Sequence, residues 1–213
     1  MVYLEQGSSS FNGVLVSENG LLLSVSHGLK KNGQLIKAHL MNGQLTTAQV
    51  LYNNPEFDIA LLQLLDVAQL PYARFNTQVN NQQAIYAVGR HGLTSSLKVT
   101  QGNIKTAWIN LANMEVVNHP HSNIALQNAI IHSAKVEQGF SGGALINEDG
   151  ELVAINHSIL DSQGNTLSIA LSIDNYLPII AALEHDYPLP TFPVLQSIEN
   201  KIDFLLAGLS RNA

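Results

Sequence analysis

The chain has no cysteine among its 213 residues. That rules out a disulfide framework, a thiolate zinc site and a thiol nucleophile. Charge is scarce as well: Asp, Glu, Lys and Arg make up 12% of the chain, about half the usual share, and Asn, Gln and Ser carry much of the polarity. The formal net charge of -6 comes without any basic run, so nucleic acid, whose phosphates must be neutralised, is not an expected partner. A membrane is no better a candidate. No uninterrupted apolar stretch reaches spanning length, and Met1-Val2-Tyr3-Leu4-Glu5-Gln6 lacks the basic start and apolar run of a secretion signal. The expectation is a soluble chain that stays in the cytoplasm as written, unless export is signal-independent or the chain is cut from a longer one.

What is present is a succession of short apolar runs punctuated by turn dipeptides. Residues 14–16 and 21–25 flank Asn19-Gly20, residues 38–41 and 44–52 flank Asn42-Gly43, and 59–65 forms a further run. These are hairpin signatures and predict a first antiparallel barrel over about 7–75. Residues 71–81, with Pro71 and many amides, read as a connection. Runs near 84–88, 98–109 and 124–131 follow, then hairpins turning at Asp149-Gly150 and Gln163-Gly164-Asn165, which predicts a second barrel over about 82–172. The fold class is therefore all-β, and no solenoid period is visible. A helix is expected over about 173–184, capped by Ser172 or Asp174, then a proline-containing link and an amphipathic helix within 186–213.

The stretch Gly139-Phe140-Ser141-Gly142-Gly143 has the make-up of a nucleophile loop. A serine hydroxyl is a poor nucleophile at neutral pH and needs a base beside it and donors where an oxyanion forms. Glycines around the serine let backbone N–H groups approach a substrate carbonyl without a Cβ in the way. Such a pattern arises by chance in about one chain of this length in two hundred, so it is only suggestive alone. Upstream, however, Ser26-His27-Gly28 ends one apolar run and Asp58-Ile59-Ala60-Leu61-Leu62 opens another.

With Gly7-Ser8-Ser9-Ser10-Phe11 before the histidine and Val88-Gly89-Arg90-His91-Gly92 before the serine, these motifs stand in the order His, Asp, Ser. In that order the chain resembles the trypsin-like serine peptidases, and within them the bacterial HtrA/Deg branch, from about Gly7 to Leu183. The resemblance implies two antiparallel six-stranded β-barrels with C-terminal helices, and a serine endopeptidase in which His27 is the base, Asp58 orients it and Ser141 attacks. It implies Gly139 and Ser141 N–H groups as the oxyanion hole, a protein or peptide substrate, and no metal or organic cofactor. The branch usually continues into a PDZ domain, for which these 213 residues leave no room. Where clotting and digestive relatives have an aspartate before the serine, this chain has Phe140, so loop formation is expected to rest on packing around Phe140 or on neighbouring loops rather than on N-terminal cleavage.

By alignment of motifs, Lys135, Val136, Gln138, Asn156, His157 and Ser158 border the primary substrate pocket. Lys135 and His157 are unusual there: a cationic pocket favours acidic side chains, but Lys135 equally reaches water along its stem. The absence of a pocket carboxylate predicts small, aliphatic or acidic residues and rejection of Arg and Lys. His119-Pro120-His121 lacks a third spaced ligand and reads as a polar loop rather than a metal pair. The alternatives are a catalytically silent protease fold acting as a binding module, with partner docking or self-association through the C-terminal helix, and an esterase, whose usual Ser, Asp, His order on an α/β fold does not match.

Overall fold

The computed structural model describes residues 1–30, 32–111, 126–162 and 165–184. The turns foreseen at Asn19-Gly20, Asn42-Gly43 and Asp149-Gly150 are made, each with its glycine at positive φ. Strands β1 Val2–Gln6, β2 Ser9–Leu15, β3 Leu21–Ser24, β4 Leu35–Leu40, β5 Leu45–Asn54 and β6 Ile59–Leu64 form a closed antiparallel barrel, in which the first two of these turns join β2 to β3 and β4 to β5. A second closed barrel consists of β7 Ala84–Gly89, β8 Lys98–Leu111, β9 Leu126–His132, β10 Ala144–Ile146, β11 Leu152–Ser162 and β12 Asn165–Ser172. The order around the first is β1-β2-β3-β6-β5-β4, and around the second β10-β11-β12-β9-β8-β7. Numbered within each barrel, the two orders are the same circuit. The sequence pattern predicts antiparallel barrels and the resemblance implies six strands in each, as found; the circuit is duplicated without a legible sequence repeat.

Strand β1 is the element that sequence reading passed over. It pairs with β2 on one side and with β4 on the other, so it closes the first barrel. Alternation sets the interior: in β4, Ile36, Ala38 and Leu40 are buried while Leu35 and Lys37 are exposed. The first core gathers Leu4, Phe11, Leu22, Val50 and Leu62, and the second Ile85, Ile104, Ile130, Phe140, Leu145 and Val153. Each of these side chains, fully buried, contributes about 1.5–3 kcal/mol.

The buried groups of the second barrel include an ionisable side chain. His132, at the end of β9, is fully buried, and neither ring nitrogen makes a hydrogen bond of good geometry among the described residues. Burial pushes its pKa down to about 4, against a smaller upward pull from the Ala134 backbone. The unfolded chain, with an ordinary histidine near 6.5, binds this proton more readily than the folded one. Stability from the neutral ring is therefore complete above about pH 6.5 and drains away as pH falls toward 4, by about 3 kcal/mol in all. His132→Leu should remove that part of the acid sensitivity. Unfolding free energies at pH 7 and 4.5 should differ less in the variant than in the wild type, and an unchanged difference would refute the assignment.

The segment 71–81 carries no strand, only a single bridge from Phe75 to Leu152. A second unit, Asp174–Ala213, holds helix α1 Leu177–Glu184. Pro178 stands in its first turn, where no intrahelical N–H is required, and the Ile180 N–H donates to the Tyr176 carbonyl. No helix among the described residues is long and apolar enough to cross a membrane. The His119-Pro120-His121 loop, the Gln163-Gly164 turn and the 186–213 segment lie outside the described residues.

Candidate active site

His27 follows β3, and Asp58 occupies the turn before β6 at φ 53°. The left-handed conformation is uncommon for a residue with a Cβ, though Asp tolerates it better than most. It aims the carboxylate back at His27. The His27 backbone N–H donates to Oδ1 at 2.7 Å, and ring Nδ1 lies 2.8 Å from Oδ2. One carboxylate thus fixes both the main chain and the ring of the same residue.

A second imidazole reaches that carboxylate. His157 Nε2 is 2.8 Å from Asp58 Oδ2, a close but bent contact with both side chains 1% exposed. His157 Nδ1 is 2.7 Å from Ser158 Oγ, and the two imidazoles lie edge to face, 5.8 Å between centroids. Burial alone would raise the Asp58 pKa; His157, then His27, outweigh it and hold the carboxyl well below the ordinary range. Asp58 is therefore ionised at neutral pH. Its contribution to stability is present above the unfolded carboxyl's pKa and is lost only as pH falls through the lower folded value.

His27, Asp58 and His157 also form a set of potential metal ligands. A tetrahedral zinc ion with bonds of 2.0–2.1 Å would space its ligand atoms about 3.3 Å apart. Both imidazole nitrogens sit 2.8 Å from the same oxygen, which is the spacing of shared protons.

The serine loop meets this group at the His157 carbonyl, and its backbone can be accounted for bond by bond. Phe140 N–H donates to the Glu137 carbonyl, Gly142 N–H to Asn156 and Gly143 N–H to Phe140. From Gly139 to Gly143, the N–H groups of Gly139 and Ser141 are the two left without an acceptor among the described residues. The carbonyls are anchored too: Gln138 O on His91 Nδ1 at 2.6 Å, Ser141 O on the Asn12 N–H at 2.8 Å, and Gly143 O on the Asn156 N–H at 2.8 Å. Ser141 Oγ donates to the His157 carbonyl at 3.2 Å. Phe140 is fully buried in the second core, its ring occupying the place a Cβ on Gly89 would fill. The loop is thus pinned by local packing around Phe140.

The residues read from sequence as bordering a pocket are placed differently from one another. Lys135 and Gln138 are exposed; the Lys135 carbonyl accepts from Thr100 Oγ1, and its ammonium acts on the Glu137 carboxylate. Val136 is buried in the second core. Asn156 is fully buried and ties the Ala144 and Val88 carbonyls with its side-chain amide. His157 turns inward to Asp58, and Ser158 supports it. The cause is a register shift in β11 between Asn156 and Ser158: a bulge interrupts alternation and re-aims the side chain that sits on it. Asn12 and Ser24, which brace the loop from the first barrel, carried no local signal in the sequence.

These features can be set beside known proteins. Residues 11–155 match the family model of the trypsin-like peptidase domain. The chain is 29% identical over 163 residues to a probable periplasmic serine endoprotease DegP-like of Buchnera aphidicola, covering 75% of this chain and 32% of that protein. It is 28% identical over 166 residues to the periplasmic serine endoprotease DegP of Escherichia coli K12, covering 76% and 32%. It therefore spans about a third of the length of the curated relatives it matches. Among solved structures, the HtrA-type protease AlgW with a tripeptide superposes with TM-score 0.70 at 24% identity, covering 87% of this chain and 60% of that one. The MamO protease domain of Magnetospirillum magneticum does so with TM-score 0.66 at 22% identity, covering 83% and 93%. At these identities the superpositions speak for the barrels alone, but the matched span 11–155 takes in His27, Asp58 and Ser141 together with the loop that holds the serine, and the chain belongs to the trypsin-like peptidase domain family.

Proposed function

We propose that the chain is a serine endopeptidase acting on protein or peptide substrates through His27, Asp58 and Ser141. The observation that carries this reading is the backbone accounting of the loop. Of its five N–H groups, the two with no acceptor among the described residues belong to Gly139 and Ser141, the pair an oxyanion requires, on the loop that holds the serine. In the reaction, the Ser141 hydroxyl leaves the His157 carbonyl, Oγ attacks the scissile carbonyl carbon, and its proton passes to His27 Nε2. Asp58 holds the ring with its proton on Nδ1, which makes Nε2 the accepting atom, and stabilises the imidazolium that forms. The carbonyl oxygen, now anionic, takes hydrogen bonds from Gly139 and Ser141, an effect commonly worth a few kcal/mol for each donor. His27 then protonates the leaving amine, and water attacks the acyl-enzyme by the same route in reverse. The DegP relatives, named as serine endoproteases, and AlgW, solved with a tripeptide, support the substrate class.

A fluorophosphonate probe tests this directly. It should form a covalent adduct on Ser141 in the wild type, none in Ser141→Ala and far less in His27→Ala, mapped by mass spectrometry. Equal labelling of wild type and Ser141→Ala would refute the reading.

A further inference from the structure

Asn12 lies in β2 of the first barrel, 1% exposed, and takes no part in the chemistry just described. Its side chain crosses to the second barrel. Nδ2 is 2.5 Å from the Gly139 carbonyl oxygen, 3.3 Å from that of Arg90 and 3.4 Å from that of Ser141. Three carbonyl oxygens around one atom fix the orientation of the amide, because an oxygen in that place would be repelled by all three. The main chain of the same residue is committed as well. Its N–H donates to Ser141 O at 2.8 Å, and its carbonyl accepts from Ser24 Oγ at 2.6 Å.

The position of the Gly139 carbonyl in the loop gives this contact its consequence. The peptide unit between Gly139 and Phe140 lies between the two units that carry the unclaimed N–H groups, Gln138 to Gly139 and Phe140 to Ser141. Its N–H is held by Glu137 and its C=O by Asn12. Gly139, at φ 91°, has no Cβ to restrict rotation of that unit. Without the Asn12 amide, the central unit keeps one anchor instead of two, and its rotation swings both neighbouring donors. Misplacing such groups by about 1 Å can cost about 100-fold in rate.

We propose that Asn12 is a positioning residue for the oxyanion hole, its side-chain amide holding the Gly139 carbonyl so that the Gly139 and Ser141 N–H groups stay aimed at the reacting oxygen. This rests on the serine peptidase reading above. It assigns to the first barrel a share in shaping the oxyanion site, beyond supplying His27 and Asp58.

The test is the rate of Ser141 phosphonylation, split into the maximal rate constant and the probe concentration giving half of it, in Asn12→Ala and Asn12→Asp. Loss of the brace in Asn12→Ala should slow the maximal rate about 10- to 100-fold while half-saturation stays within about twofold. Asn12→Asp has nearly the same shape but sets a carboxylate against three carbonyl oxygens, and should be slower still at neutral pH. Far-UV circular dichroism and a cooperative melt establish that each variant is folded. A folded Asn12→Ala that reacts like the wild type, or one whose loss lies wholly in half-saturation, overturns the proposal. So does failure of both variants to fold, which would reduce Asn12 to a structural residue. Absence of labelling in the wild type would instead remove the peptidase reading itself, and the two failures are distinguishable.

Discussion

Asp58→Asn should slow the reaction of Ser141 about 10⁴-fold with the barrels intact. The exchange alters one atom and almost no volume, but the hydrogen bonds around it leave no good orientation for the amide. The His27 backbone N–H needs an acceptor where Oδ1 now stands, so the amide oxygen must take that place and the NH₂ must take the place of Oδ2. An NH₂ only donates. His27 Nδ1, 2.8 Å away, would have to accept, which moves the ring proton to Nε2, the atom that must receive the proton of Ser141. His157 Nε2, equally 2.8 Å away, meets the same demand. Turning the amide over restores the ring contact and strands the backbone N–H instead. Labelling kinetics beside a thermal melt give the answer, and a folded variant within tenfold of wild type would contradict this account of the site.

Gly142→Ala should be nearly as damaging for a different reason. Gly142 has φ 76°, and a Cβ there would lie well inside contact distance of the Asn12 carbonyl oxygen and 2.6 Å from Ser24 Oγ. Backbone cannot swing aside as a side chain can, so the loop or the barrel contact must give way. Left-handed strain costs about 1 kcal/mol, and the clash should bring the total to about 2–4 kcal/mol. Labelling should fall by at least about 100-fold. Gly150→Ala supplies the control: its φ is 75°, yet nothing lies within 4 Å of the added Cβ. It should lose only the strain term and keep full labelling. Melting curves and labelling of the two variants, measured together, separate conformation from close approach. Equal effects in both would show that the contact with Asn12 does not matter.

The contrast between these two glycines also shows what a sequence can and cannot disclose. Gly150 follows Asp149 between two apolar runs, a local pattern that names its own turn. Gly142 advertises only a motif, and the reason for its presence, the Asn12 carbonyl, lies 130 residues earlier in the chain. The same division holds across the molecule. The hairpins and the order of His27, Asp58 and Ser141 were legible because each depends on neighbours in sequence. Strand β1 was missed because Val2, Tyr3 and Leu4 are all buried and so show no alternation. The inward turn of His157 depends on a bulge in β11, which no composition or period announces, and the Asn12 brace joins atoms separated by 127 residues.

The serine loop is held almost wholly by neutral groups: main-chain pairs, the Asn12 and Asn156 amides, and a buried phenyl ring. The carboxylate of the neighbouring histidine group, Asp58, is 1% exposed and out of reach of mobile ions. At the rim the Lys98–Glu137 pair is open to solvent, with side chains 50% and 35% exposed, and such a pair weakens as salt is added. A chain with so few charges thus keeps its reactive loop on contacts that ionic strength hardly touches, and the loop should hold the same shape in dilute buffer and in brine.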